Sequence, residues 1–302
     1  YSFTCMYYIL QKYPRAETEY CFFDRNRTCY PQGFDRLLRE QLEHLADVVI
    51  SDEERDFMTR SFPFLPYWFI NVFLRGYRFN PGELTISQDE EGHLDIRIKG
   101  KWWSTIMWEM PILATISELM HTLNGDMQKY DAEKEYQKSY EKGRKIWENG
   151  LTLGDMGTRR RFSYEHHERV IDALIASYAE VKQETNGQCG KFTGTSNVYL
   201  AMKKGIPCLG TMSHQCISFE EIVSGVFECN YNVMNKWSEV YDGNVGIFLY
   251  DCFGDNVFFN NLSKRMAMTF CGLRIDSGKE EEQVDKIVEK YKQLGIDPMT
   301  KQ

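Results

Sequence analysis

The chain has 302 residues, enough for two ordinary domains or one large α/β barrel. Its 42% apolar and 26% charged residues describe a globular, water-exposed protein, and a net charge of −8 argues against a broad basic surface held to nucleic acid. No apolar run reaches the roughly 20 residues of a membrane span, and nine cysteines at irregular spacing make neither a disulfide framework nor a Cys-x-x-Cys zinc pattern, so the chain reads as a cytoplasmic protein with reduced, buried thiols.

Up to residue 150 the elements are mixed, and 1–150 is expected to form an N-terminal α+β domain. Residues 1–13 read as an aromatic-rich helix ended by Pro14, 19–23 as a short strand, and 31–46 as a helix with Phe34, Leu37, Leu38, Leu42 and Leu45 on one face. Ser51-Asp52-Glu53-Glu54 is a capping box that opens another helix. Residues 84–87 and 94–99 flank Asp89-Glu90-Glu91-Gly92; Leu94, Ile96 and Ile98 alternate with Asp95 and Arg97, the pattern of a half-buried strand in a hairpin. Residues 105–123 are expected to be a helix kinked at Pro111, and 131–147 a charged helix. Trp102, Trp103 and Trp108 read as core or subunit interface.

After residue 150 a short apolar run, a polar loop and an amphipathic helix repeat five times. The runs are 151–156, 190–192, 206–209, 245–250 and 269–275, and the helices follow at 164–182, 197–204, 218–240, 255–267 and 279–294. Ser218-x-x-Glu221 and Ser277-x-x-Glu280 are read as capping boxes, and His166-His167 as a solvated pair on the first of these helices. Five βα units imply a parallel sheet, open or closed into a barrel, with 151–302 as that domain.

In either arrangement ligand chemistry belongs to the loops at the carboxyl ends of the strands. Those loops hold Gly157-Thr158-Arg159-Arg160-Arg161, Gly194-Thr195-Ser196-Asn197, Gly210-Thr211-Met212-Ser213-His214, Asp251-Cys252 and Arg274-Ile275-Asp276-Ser277-Gly278. The arginines can fork onto a carboxylate or phosphate, or form ion pairs in a basic turn. His214 can serve as base or nucleophile, or as a hydrogen-bonded loop histidine. Asp251 and Asp276 can hold Mg²⁺ or ribose hydroxyls, or cap helices. No phosphate-binding P-loop and no dinucleotide fingerprint is present. The residues alone reach a barrel-like α/β enzyme that binds an anionic ligand.

Taken in order, Trp108-Glu109-Met110-Pro111-Ile112-Leu113-Ala114, Gly157-Thr158-Arg159-Arg160-Arg161-Phe162-Ser163, Gly194-Thr195-Ser196-Asn197-Val198, Gly210-Thr211-x-x-His214 and Leu273-Arg274-Ile275-Asp276-Ser277-Gly278 resemble the nicotinate phosphoribosyltransferase family. That resemblance implies an irregular α/β barrel of the type II phosphoribosyltransferase kind with a flanking N-terminal α+β domain. It implies formation of nicotinate mononucleotide and pyrophosphate from nicotinate and phosphoribosyl pyrophosphate, in nicotinate salvage toward NAD, with Mg²⁺ and with ATP hydrolysed through a phosphohistidine. It also implies a homodimer with a shared active site.

Carried over by residue, His214 resembles the phosphorylated histidine, Arg159 the ligand of the pyridine carboxylate and Arg274 a phosphate ligand. Asp251 and Asp276 resemble contacts to ribose and to Mg²⁺–pyrophosphate, while Gly157 and Thr195 join the substrate-binding set. Ser196 stands where nicotinate enzymes carry Ser and nicotinamide-using relatives carry Asp, and Tyr1 resembles the tyrosine that reaches the neighbouring subunit's site and stacks on the pyridine. Met156 stands where the family places an aromatic ring, and Gln215-Cys216 replaces an acidic and an aromatic residue. The resemblance puts one motif aspartate ahead of Tyr1 and the last two barrel strands beyond Gln302.

Overall fold

The protein is described by a computed structural model covering residues 1–301. They form two compact units whose border is not at 150: Arg15–Leu209 is one, and Tyr1–Pro14 joins the chain from Gly210 onward in the other. No helix is long and apolar enough to cross a membrane among the described residues. All nine cysteines are free; Cys5, Cys216 and Cys229 are buried as expected, but Cys21, Cys29 and Cys271 are exposed.

In the Arg15–Leu209 unit, β1 (Glu17–Cys21), β2 (Leu84–Gln88) and β3 (Leu94–Lys101) form an antiparallel sheet in the order β1-β3-β2. The expected hairpin is present: Ile86 pairs with Ile96, and the alternation turns Ile96 and Ile98 into the core. β1 begins two residues earlier than its apolar pattern implied: Glu17 already pairs with Lys101 of β3, and their side chains meet at 2.7 Å. The helix Phe34–Glu43 buries Phe34, Leu38 and Leu42 on this sheet with Trp108, Ile112 and Ile116, while Leu37 faces out. Ser51 and Glu54 make the capping box in both directions. Pro111 makes no kink: it is the third residue of the helix Glu109–Leu123, in the first turn, where its missing N–H has no partner to lose.

The same unit carries the parallel pair β4 (Thr152–Asp155) and β5 (Lys191–Thr195). Helices Ala132–Glu148 and Tyr164–Glu184 pack beside it through Trp147, Ile171, Leu174 and Val181, and Trp147 Nε1 donates to Ser177 Oγ at 3.0 Å. The run at 206–209 is not a strand. Only Cys208 bridges to Thr195, because Pro207 next to it has no N–H to donate.

In the other unit β6 (Ile247–Leu249) and β7 (Gly272–Arg274) form a second parallel pair. The described strands do not themselves close into a barrel. Two expected long helices are each broken. The first ends at Ser224 before Gly225, at φ +80°, and restarts as Cys229–Tyr241; the second splits into Asp255–Asn261 and Lys264–Thr269. Ser218 is therefore inside a helix, and the cap is Ser213, which accepts from Gln215 N. Ser277 is no cap either, since its helix starts at Glu280 after Lys279.

The helix Ser2–Lys12 packs by aromatic contact, with the Tyr8 ring 5.1 Å from Trp237 and Trp237 4.7 Å from Tyr241. Beyond its end, the Tyr13 hydroxyl donates to Glu220, and Lys236 Nζ donates to both Glu220 oxygens at 2.9 and 2.8 Å. The Glu220 side chain is 1% exposed, so its charge depends on these two partners. Lys236→Met is expected to lower the free energy of unfolding by about 3–5 kcal/mol in urea titration. The double variant Glu220→Gln, Lys236→Met is expected to recover most of that loss, because no buried charge is then unpaired.

Candidate active site

The strand-end residues fall into two clusters, one in each unit. In the Arg15–Leu209 unit the centre is Asp155, the last residue of β4. Its Oδ2 lies 2.9 Å from His167 Nε2 and accepts from Thr195 Oγ1 at 2.6 Å, while Oδ1 accepts from Gly157 N at 3.1 Å. Its backbone carbonyl accepts from Ser196 N at 2.8 Å. Asp155, which the sequence reading did not single out, thus brings Gly157, Thr195 and Ser196 together. Gly194 has φ +114° and lies so close to the Pro207 carbonyl that no Cβ fits, which lets the segment with Pro207 run beside the end of β5. Asn197 extends the arrangement, donating to Thr158 Oγ1 at 3.2 Å while its Oδ1 caps the helix Val198–Lys204.

His167 corrects the expectation of a solvated pair: it is 3% exposed, while His166 is half-buried against the Tyr130 hydroxyl at 2.8 Å. The missed signal was spacing, since His167 shares a helical face with Ile171 and Leu174. The three arginines diverge. Arg159 pairs with Glu109 at 3.1 Å and Arg161 with Glu118 at 3.2 Å, while Arg160 is exposed. Met156 is 49% exposed at the loop edge.

In the other unit His214 is the first residue of the helix His214–Ser224. Its Nε2 lies 3.2 Å from Asp251 Oδ1 and 3.7 Å from Asp276 Oδ2. Ser277 Oγ donates to the other Asp251 oxygen at 2.7 Å, and Arg274 pairs with Asp276 at 3.6 Å. The helix-cap alternative fails for both aspartates, because the helices that follow them are capped by Gly254 and Lys279. Arg274 Nη1 reaches Thr211 Oγ1 at 3.4 Å. The Thr4 hydroxyl sits 2.8 Å from the Thr211 carbonyl and 2.6 Å from that of Tyr1, so the chain start is tied to the same loop. His214, Asp251, Arg274 and Asp276 are therefore one constellation of a histidine, two carboxylates and a guanidinium, suited to a phosphoryl group and a cation together.

Burial alone would raise the Asp155 carboxyl, but the hydrogen bonds and charge of His167, the Thr195 hydroxyl and the Gly157 amide outweigh it, and the net direction is down. A carboxyl lowered by folding adds stability above its unfolded value of about 3.9, and that stability is lost as pH falls through the folded value. Asp155→Asn is expected to flatten the acid limb of stability below about pH 4, and His167→Ala to cost about 2–3 kcal/mol at pH 7. Urea titrations across pH check both.

Comparison with known proteins identifies the family. The sequence profile of the nicotinate phosphoribosyltransferase N-terminal domain matches residues 1–117, and that of the nicotinate phosphoribosyltransferase family matches residues 151–302. The chain is 35% identical over 301 residues to the nicotinate phosphoribosyltransferase of Chromohalobacter salexigens, covering all of this chain and 74% of that protein. It is 33% identical over 318 residues to that of Methanosarcina acetivorans, covering all of this chain and 75% of the relative. The crystal structure of the Porphyromonas gingivalis nicotinate phosphoribosyltransferase superposes with a TM-score of 0.91 at 38% identity, over 99% of this chain and 74% of that one. With both profiles matched in order and these identities sustained across its length, the chain belongs to the nicotinate phosphoribosyltransferase family of enzymes.

Proposed function

We propose that the protein joins nicotinate to phosphoribosyl pyrophosphate, releasing pyrophosphate and forming nicotinate mononucleotide for NAD salvage, with ATP hydrolysed through phosphorylated His214. Family membership supports the transferase reaction, and the constellation about His214 is the observation that carries the ATP-coupled part. The pyridine nitrogen attacks the anomeric carbon as pyrophosphate leaves, so positive charge builds on the ribose and negative charge on the departing group. Arg274 is the cation for a phosphate, and Arg159 takes the nicotinate carboxylate by a two-pronged hydrogen bond. Gly157, Thr195 and Ser196 frame the pyridine, and Ser196 adds no charge to repel an acid. Tyr1 is the stacking ring supplied to a neighbouring subunit in a homodimer.

The proposed phosphate acceptor has three physical supports. Asp251 orients the His214 ring and stabilises the charge that grows on it as it attacks phosphorus. Ser277 keeps that carboxylate in place. A position at the start of an 11-residue helix favours a negative phosphoryl group. Asp251 and Asp276 both present carboxylate oxygens beside the ring, a donor set that would hold Mg²⁺, whose charge would offset that of the departing pyrophosphate. An irregular α/β barrel and a cytoplasmic location belong to the same proposal.

Ser196→Asp is expected to raise the KM for nicotinate by about tenfold or more through like-charge repulsion, measured as pyrophosphate release with nicotinate and with nicotinamide. Preference of the unaltered protein for nicotinamide would overturn the substrate assignment. His214→Ala is expected to abolish phosphate release from ATP while leaving a slow ATP-independent transfer; undiminished ATP hydrolysis would sink the phosphohistidine.

A further inference from the structure

Cys252 follows Asp251 at the end of β6 and has no part in the proposed transfer. Yet His214, Asp251 and Cys252 bring one ligand atom each, an imidazole nitrogen, a carboxylate oxygen and a thiol sulfur, all within 4.8 Å of one another. None of the three is fully exposed; the Asp251 side chain is 10% exposed and that of His214 40%. Nitrogen, oxygen and sulfur at this spacing are the donor set of a borderline-soft, tetrahedral dication such as Zn²⁺, which takes three protein ligands and leaves a fourth position open. Mg²⁺ has no use for the sulfur.

The set is pre-ordered: Ser277 holds one Asp251 oxygen and leaves Oδ1 toward His214, and Arg274 is engaged by Asp276. The other cluster of this kind, Asp89, Glu91 and His93 in the β2–β3 turn, is weaker, because its carboxylates are 55% and 78% exposed.

We propose that His214, Asp251 and Cys252 form a binding site for a thiophilic divalent cation of the Zn²⁺ class, which shares Asp251 with the Mg²⁺ set Asp251 and Asp276 and adds a sulfur to it, and that its occupant blocks phosphorylation by taking His214 Nε2 away from Asp251, the contact that orients the ring for attack. The blocking rests on the phosphohistidine reading; the binding does not. On binding, a sulfur–metal bond forms, the S–H bond breaks and the proton leaves to water, with no change of oxidation state. Asp251 belongs to both sets, so the two ions exclude one another.

Titration of the substrate-free full chain with Co²⁺, the spectroscopic stand-in for Zn²⁺, tests the site. One equivalent is expected to give tetrahedral d–d bands and a sulfur-to-cobalt charge-transfer band. Cys252→Ser is expected to remove the charge-transfer band and weaken binding about tenfold or more, Asp251→Asn to weaken it, and His93→Ala to leave it intact. Cys252→Ala, with folding checked by circular dichroism, guards against misfolding of the serine variant. A charge-transfer band that survives both Cys252 substitutions, or the absence of any tetrahedral spectrum, overturns the site. Zn²⁺ is then expected to suppress ³²P transfer from ATP to His214 in the unaltered chain but not in Cys252→Ser. Cobalt binding without that suppression overturns the blocking role, and absence of ³²P-labelled His214 even without Zn²⁺ overturns the phosphohistidine reading while the metal site stands.

Discussion

The carboxylate of Asp155 is taken out of water, and a buried charge persists only if its oxygens are satisfied. Three groups satisfy it: the His167 ring, the Thr195 hydroxyl and the Gly157 amide. Each comes from a different segment, so one ion fixes a helix, a strand end and a loop at once. The β4–β5 ladder shifts register between Leu153 and Gly154, and that irregularity sets Asp155 opposite Thr195. Sliding either strand by a residue would leave the carboxylate without the Thr195 hydroxyl and the Ser196 amide without its carbonyl. Loops that carry Gly157, Thr195 and Ser196 inherit their geometry from this one requirement.

The second unit solves a similar problem with a full ion pair. Glu220 sits in the helix that starts at His214, Lys236 in the helix Cys229–Tyr241, and Tyr13 just beyond the helix Ser2–Lys12. Their network fixes the tilt of a helix whose first residue faces Asp251. Precision at His214 thus comes from groups well along the same helix, while Thr4 and Thr211 anchor the loop in front of it.

Much of this was legible from local pattern. The hairpin followed from strict alternation at 94–98, the Ser51 cap from its paired glutamate, and the strand-end motifs from glycine and hydroxyl residues after apolar runs. What failed was where chemistry depends on distant partners. Ser218 and Ser277 have the spacing of caps, but Ser218 lies within a helix and Ser277 is drawn to Asp251, 26 residues away. Residues 206–209 are apolar enough for a strand, yet Pro207 removes a donor where a ladder needs one. His167 reads as solvated from its place one turn into a helix; only the helical register against Ile171 and Leu174 turns it inward.

The Arg159–Glu109 pair has a consequence for selectivity under the proposed role of Arg159. At 3.1 Å, its guanidinium already holds a carboxylate from the protein. An incoming acid does not meet a bare cation; it trades places with, or shares the fork with, one carboxylate of the same kind. Such an exchange is nearly balanced in Coulomb energy, so attraction is modest and release of product stays easy. A neutral amide enters the same exchange at a loss, since it displaces a charged partner and returns none. Discrimination then arises from what the resting arginine must surrender, and Glu109 sets the threshold that any ligand has to match.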